Sequence, residues 1–135
     1  MPSSTRSIIG PIAFTFALAS LIASQSPLSA QQPAAPVGAY DASPYLGEIR
    51  NSILYGDIWE RPELSKRDRS LITVANLVAL YRTGQLKGHI GRALDNGVTK
   101  AEISEVILHT TFYAGWPVGA NAVQVAKEVF DERGI

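Results

Sequence analysis

The chain has 135 residues, with 12 Lys and Arg against 12 Asp and Glu, and its formal net charge is 0. This length predicts one domain, and the balanced charge gives no reason to expect a nucleic-acid partner, which usually requires a basic excess. Cysteine is absent and there are 2 histidines. These counts exclude disulfide scaffolds, zinc–thiolate sites, iron–sulfur clusters, dithiol redox cycles and a three-histidine metal site within one chain.

The first 30 residues are predicted to be a secretory signal peptide, because Arg6 precedes an apolar run over 8–23 and Ala30 suits a cleavage site. An uncleaved membrane anchor is the alternative, but the run has about 16 residues and a spanning helix needs about 20. We therefore expect an exported protein, periplasmic or secreted, with no stable membrane insertion after processing. Residues 31–44 are rich in Pro, Ala and Gln and are predicted to be a flexible linker, so the folded domain is expected over 45–135.

Apolar residues at helical spacing predict a first helix over 44–56, followed by a loop over 57–64. Ser65 and Asp68 have the spacing of a capping box. A second helix is therefore expected over 66–83, ending near the first glycine that follows.

The second predicted helix is apolar around nearly its whole circumference. A helix with this pattern is buried on all sides, and a domain of about 105 residues has little surface to spare for covering it. We therefore expect a homo-oligomer; the alternative is a helix at the centre of a small bundle. The apolar residues are Leu71, Ile72, Val74, Ala75, Leu77, Val78, Ala79 and Leu80.

Three more helices are predicted towards the end of the chain. The third spans 86–96, the fourth begins after the capping pair Thr99 and Glu102 and ends near Gly115, and the fifth spans 117–133. No segment alternates with period two for long enough to predict a strand. The expected fold class is therefore all-α, with about five helices.

His89 lies midway along the third predicted helix, beside Gly88 and Gly91. Each helix-interior glycine costs about 1 kcal/mol relative to alanine, and glycines allow a ligand or another backbone to approach closely. The pattern fits a functional histidine, and it also fits a structural histidine in tight helix packing.

Glu105, His109 and Tyr113 follow at intervals of four residues and share one face of the fourth helix. A carboxylate one turn from an imidazole can orient it, although an ordinary surface pair has the same spacing. The segment 113–117 brings a phenol, the Trp116 indole and a helix N-terminus to one corner, where anions are attracted. The alternative for that segment is a stiff, packed turn.

Two charged residues near the start of the second helix are further candidates. Glu60 lies in the predicted loop beside Trp59, and Arg69 lies in the first helical turn. An arginine there is usually solvated, but its guanidinium can hold a carboxylate through two hydrogen bonds. The chain contains no GxGxxG, P-loop, GxSxG or HExxH motif.

The order and spacing of several short motifs resemble the carboxymuconolactone decarboxylase family over about residues 50–133. The motifs are 57–62 (DIWERP), 67–71 (RDRSL), His89, 93–99 (ALDNGVT) and 113–117 (YAGWP). The resemblance implies an all-α, alkylhydroperoxidase-like fold, assembly into trimers or hexamers, and no metal or organic cofactor.

The family's reaction converts 4-carboxymuconolactone into 3-oxoadipate enol-lactone and CO₂. The resemblance therefore implies a carboxy-lyase that acts on this compound or on a related small lactone or carboxylic acid. His89 is the first candidate for the proton donor, and Glu60 and Tyr113 are weaker catalytic candidates. The expected substrate-binding residues are Arg69, Trp116, Glu105 and His109.

A redox-active branch of the same superfamily uses a Cys-x-x-Cys pair shortly before the matching histidine. Arg82 and Gln85 stand at those positions here, and Ser70 stands where that branch has a glutamate. Because the peroxidase reaction needs a thiolate, we expect no thiol peroxidase activity. The family's decarboxylase works in the cytoplasm, whereas this chain is expected to be exported. The alternatives are therefore another lactone substrate or a non-catalytic oligomeric ligand-binding protein.

Overall fold

The computed structural model describes residues 38–135, and every regular element in this range is helical, which confirms the predicted all-α fold. The predicted signal peptide and residues 31–37 of the predicted linker lie outside the described residues. Within the described part, no helix is long and apolar enough to cross a membrane. The α-helices are α1 (Pro44–Ile49), α2 (Lys66–Ala79), α3 (Thr83–Asp95), α4 (Lys100–Ala114) and α5 (Trp116–Arg133).

Helices α2 to α5 enclose the hydrophobic core. Helix α2 packs against α3 and α4, and α5 packs against the same two helices, so α3 and α4 occupy opposite corners of the bundle. Burying a large aliphatic side chain contributes about 1.5–3 kcal/mol, so this core is the main source of stability. The largest fully buried apolar side chains are Val74, Val78, Leu86, Ile90, Ile103 and Ile107.

Ser65 and Thr99 are confirmed as the N-cap residues of α2 and α4, and the complete capping box forms at α4. Ser65 Oγ accepts a hydrogen bond from the Asp68 amide at 3.0 Å, and Thr99 Oγ1 accepts one from the Glu102 amide at 3.2 Å. The Glu102 carboxylate accepts in return from the Thr99 amide at 2.9 Å, which completes the capping box. Glu102 also binds the Arg67 guanidinium, so the first turns of α2 and α4 are tied together.

Helix α2 ends at Ala79, several residues before the predicted stop near Gly84, so that prediction is wrong. Tyr81 adopts a left-handed conformation with φ of 55°. The next amide, of Arg82, donates to the Leu77 carbonyl at 2.8 Å, as in a Schellman ending. Glycine is the usual residue at such a position, and here a tyrosine takes it, while Gly84 lies in the first turn of α3.

A single chain does not bury α2 on all sides. Ser70, Val74 and Val78 form its buried face. On the remaining surface, Ile72 is 48% exposed, and Leu80, just beyond the last helical residue, is 65% exposed. Within the described chain, α2 is therefore not the fully covered central helix that was the alternative.

Helix α1 continues directly into a π-helix, Arg50–Tyr55, so the predicted first helix is helical but has a wider last turn. The backbone hydrogen bonds of a π-helix join residues five apart, so such residues lie on neighbouring turns. The Arg50 guanidinium carbon accordingly lies 4.8 Å from the centre of the Tyr55 ring. In the predicted loop that follows, Ile58–Glu60 forms a short 3₁₀-helix.

The end of the predicted linker, residues 38–43, forms turns against α1. The Ser43 amide donates to the Tyr40 carbonyl at 2.9 Å. A Cβ atom at Gly47 would lie 3.1 Å from the Tyr40 Cβ, so the lack of a side chain at Gly47 allows this close approach.

Candidate active site

A cluster of two arginines and two aromatic rings surrounds the face of α3 that carries His89. Arg92 lies one turn after His89 and is 8% exposed. Its guanidinium carbon lies 4.4 Å from the centre of the Tyr55 ring and 5.4 Å from that of the Trp59 ring. Arg50 lies over the same tyrosine. We call these five residues the α3 site.

Electrostatics in the α3 site favour the neutral form of His89. Burial lowers the pKa of the imidazole, and the nearby charges of Arg92 and Arg50 lower it further. Both effects penalise the imidazolium, which would lose hydration and face two like charges. Near pH 7 the free protein therefore holds a neutral imidazole, which has one donor and one acceptor nitrogen. An anion in the site would offset the charges of Arg92 and Arg50, and the pKa of His89 would then rise.

The Arg92 guanidinium is incompletely satisfied. Its Nε and Nη1 atoms are buried and make no hydrogen bond with any described residue. Buried polar groups nearly always have partners, because an unmet donor costs about 1–3 kcal/mol. The α3 site is thus positively charged, and no described residue accepts a hydrogen bond from these two donors.

Sequence reasoning found His89 but missed Arg92, Arg50 and Tyr55. One signal was available, because His89 and Arg92 are three residues apart and therefore share a helix face. The pairing of Arg50 with Tyr55 depends on the π-helix, and a search at α-helical periodicity does not find it.

The space around Gly88 and Gly91 does not support tight helix packing beside His89. A Cβ atom at Gly88 would meet no atom within 4 Å, and one at Gly91 would meet only Arg133 Nη2 at 3.4 Å. Within the described chain, α3 is not tightly packed at these two glycines. A single chain therefore does not show the tight helix packing that was the structural alternative for Gly88 and Gly91.

Glu60 and Arg69 are engaged at the start of α2. The exposed Glu60 carboxylate pairs with Lys66 Nζ at 2.8 Å. Arg69 Nη2 donates to the Arg61 carbonyl at 3.0 Å, while its buried Nε has no hydrogen-bond partner among the described residues. Both side chains hold the preceding loop to the helix, and Arg69 retains one unused donor.

The predicted face of α4 forms a second cluster, against α2. Glu105 and His109 line a groove of about 400 Å³ whose apolar wall includes Leu71 and Ile72. The ring centres of His109 and Tyr113 are 4.9 Å apart. The structure therefore confirms that Glu105, His109 and Tyr113 share one face of α4.

The corner between α4 and α5 is aromatic and open to solvent. Tyr113 is 82% exposed and Trp116 is 73% exposed. Gly115, with φ of 105°, makes the turn between the two helices. In a single chain this corner is therefore not the packed turn that was the alternative for this segment.

The three predicted catalytic residues do not converge within one chain. His89 is grouped with Arg92, Glu60 pairs with Lys66, and Tyr113 contacts His109 on the opposite corner of the bundle. Between residues 38 and 135, no three His, Asp or Glu side chains are grouped so as to hold a metal ion. The α3 site is the candidate active site because it combines a buried cation with an imidazole.

The helical core is that of a domain with the alkylhydroperoxidase-like helical fold. The sequence model of the carboxymuconolactone decarboxylase family matches residues 44–128, and the chain belongs to this family. The matched segment contains the whole α3 site.

Three relatives are similar over comparable lengths. The chain is 46% identical over 81 residues to the 4-carboxymuconolactone decarboxylase of Acinetobacter baylyi, covering 60% of each chain. It is 33% identical over 85 residues to the nitrosuccinic acid decarboxylase of Metarhizium robertsii, covering 63% of this chain and 59% of that one. It is 29% identical over 80 residues to an uncharacterized 15.0 kDa protein of Paracoccus denitrificans, covering 58% and 60%. The matches thus span about 60% of the length of these relatives.

Proposed function

We propose that the protein is a cofactor-independent decarboxylase acting on 4-carboxymuconolactone or a related small lactone acid. The observation that carries the proposal is the 46% identity to a relative named for that reaction. The relative named for nitrosuccinic acid supports the broader class, decarboxylation of small acids with an electron-withdrawing group. The positively charged α3 site suits an anionic substrate of this kind.

The substrate supplies its own electron sink in the proposed reaction. The bond between the ring and the departing carboxylate breaks, CO₂ leaves, and the electron pair moves into the conjugated lactone as a dienolate. A proton is then delivered to carbon, which gives the enol-lactone. The protein has to hold the remaining carboxylate, stabilise the lactone oxyanion and supply the proton. A preorganised donor at such an oxyanion contributes about 3 kcal/mol.

His89 is the proposed proton donor. In the free protein its pKa is held below the ordinary value by burial and by Arg92 and Arg50. A substrate carboxylate in the α3 site offsets the arginine charges, so the pKa of His89 rises when substrate binds. The imidazole then takes up a proton that it can pass to carbon. A positioned general acid of this type contributes about 10²–10⁴-fold in rate.

The pH dependence of turnover tests this role. The quantity kcat/KM falls as pH rises through the pKa of His89 in the free protein, whereas kcat falls through its pKa in the complex. Because binding raises that pKa, we expect the falling limb of kcat at higher pH than the falling limb of kcat/KM.

Variants test whether the falling limbs of both pH profiles come from His89. His89→Gln should lower kcat by about 10²-fold or more and remove both limbs. Lys87→Gln is the matched control on the same helix, since Lys87 is exposed and paired with Glu132 at 2.6 Å. Limbs at the same pH would contradict the proposed proton uptake, and wild-type turnover by His89→Gln would assign the proton to another group.

A further inference from the structure

The α3 site contains a buried cation for which the described chain provides no acceptor. The Arg92 side chain stacks on the rings of Tyr55 and Trp59, which attract its charge but leave Nε and Nη1 without hydrogen bonds. A guanidinium carries five N–H donors, and taking it out of water without acceptors is strongly unfavourable. An anion with two oxygens in one plane, such as a carboxylate, would supply hydrogen-bond acceptors for these two nitrogens.

Other arginines of the described chain show the contrast. Arg61, Arg67 and Arg133 each pair with a carboxylate of the chain: Glu63 at 3.5 Å, Glu102, and Asp95 at 2.8 Å. Arg92 is the buried one among the described arginines, and no carboxylate of the described residues pairs with it. Arg69 also pairs with no described carboxylate, but its Nη2 donates to the Arg61 carbonyl at 3.0 Å, whereas Nε and Nη1 of the more deeply buried Arg92 have no acceptor among the described residues.

A second positive charge lies beside the same ring. The guanidinium carbons of Arg92 and Arg50 lie 4.4 Å and 4.8 Å from the centre of the Tyr55 ring. Two like charges held this close to one ring repel each other, and an anion bound at either guanidinium lowers that repulsion. His89 is one helical turn from Arg92, so a carboxylate at Arg92 brings the adjoining carbons of a small acid near the imidazole.

We propose that Arg92, assisted by Arg50, binds the carboxylate that the substrate retains and thereby places the reacting carbon beside His89. This inference rests on the proposed function, in which the substrate carries one carboxylate that leaves and one that stays. It assigns the binding of the retained group to α3 and the π-helix, whereas the sequence favoured Arg69 on α2.

Succinate, a small unreactive dicarboxylate, is the probe that separates binding from turnover. The full chain, labelled with ¹⁵N, is titrated with succinate while the imidazole signals of His89 and His109 are followed by NMR. We expect saturable binding that shifts the His89 signal and raises the pKa of His89, while the His109 signal on the opposite corner stays in place. A His89 signal that does not respond to succinate overturns the proposal.

Three variants assign the effect to the guanidinium. Arg92→Gln should weaken succinate binding by 10-fold or more, and Arg92→Lys should also weaken it, because lysine keeps the charge but loses the planar fork. Lys87→Gln removes a positive charge from the exposed side of the same helix and should bind succinate as the wild type does. Equal binding by Arg92→Gln and wild type overturns the proposal. If far-UV circular dichroism shows that Arg92→Gln is unfolded, Arg92→Lys and Arg50→Gln decide by the same measurement.

Kinetics and mass distinguish this inference from the proposed function. If the wild type turns over 4-carboxymuconolactone and Arg92→Lys leaves KM unchanged, carboxylate binding by Arg92 is contradicted while the proposed decarboxylase activity is supported. If succinate binds through Arg92 but the lactone is not turned over, carboxylate binding by Arg92 is supported and the proposed decarboxylase activity is contradicted. If Arg92→Gln lowers the mass measured by light scattering and leaves succinate binding unchanged, Arg92 pairs with an acidic group of a second copy. Carboxylate binding by Arg92 is then contradicted.

Discussion

Replacing Gly119 by alanine tests the closest contact between α4 and α5. A Cβ atom at Gly119 would lie 1.9 Å from Thr111 Oγ1 and 2.9 Å from both Cβ and Cγ2 of that threonine. Rotating the Thr111 side chain moves Oγ1 and Cγ2 away, but it breaks the 2.7 Å hydrogen bond from Oγ1 to the Ile107 carbonyl. The threonine Cβ does not move on rotation, so the helices must separate by roughly 0.6 Å to reach a normal carbon–carbon contact of about 3.5 Å.

The expected loss of stability follows from three contributions. Overpacking costs about 1–3 kcal/mol, the broken hydrogen bond adds about 1 kcal/mol, and alanine regains up to about 1 kcal/mol of helix propensity. We therefore expect Gly119→Ala to lower the free energy of unfolding by about 2 kcal/mol. Gly84→Ala is the matched control, because Gly84 also lies in a first helical turn and a Cβ there meets nothing within 4 Å.

Urea unfolding followed by far-UV circular dichroism measures the difference, with all variants at one chain concentration because association adds to apparent stability. Gly84→Ala should match or exceed the wild type. The double variant Thr111→Ala/Gly119→Ala should recover part of the loss, since it removes Oγ1 and Cγ2 but keeps the threonine Cβ position occupied. Equal stability of Gly119→Ala and Gly84→Ala would refute the contact.

Two further predictions concern pH and assembly. Stability should fall as pH drops below about 6.5, because the folded pKa of His89 is lowered and the unfolded chain then binds more protons. In urea unfolding across this pH range, His89→Gln should reduce the slope relative to His109→Gln, and an unchanged slope would contradict the burial of His89 beside two arginines. A single chain leaves Ile72, Leu80 and Phe112 exposed, so we expect association. The family resemblance implies three or six chains, and static light scattering at micromolar concentration should give the corresponding mass. The mass of a single chain would contradict assembly.

The fold was predictable where local chemistry determines it. Ser65 and Thr99 cap α2 and α4 as their spacing indicated, because the capping bonds join residues three apart. The end of α2 was not predictable in this way. Tyr81 takes a left-handed conformation that tyrosine rarely adopts, so no residue preference marks the position.

The candidate site was predictable only in part, since it depends on contacts between elements. His89 could be singled out on its own helix, and so could the shared face of Glu105 and His109. The contact of Arg92 with the rings of Tyr55 and Trp59 depends on a π-helix and a 3₁₀-helix that carry these rings to α3 from elsewhere in the chain. The separation of Tyr113 from His89 likewise follows from the arrangement of α3 and α4, which periodicity does not specify.

Release of CO₂ from 4-carboxymuconolactone by the purified protein tests the proposed decarboxylation most directly. We expect one CO₂ for each lactone consumed, an unchanged rate in the presence of a chelator, and a rate lower by about 10²-fold or more in folded His89→Gln. Binding of the lactone by the wild type without release of CO₂ above the uncatalysed rate would contradict the proposed decarboxylation.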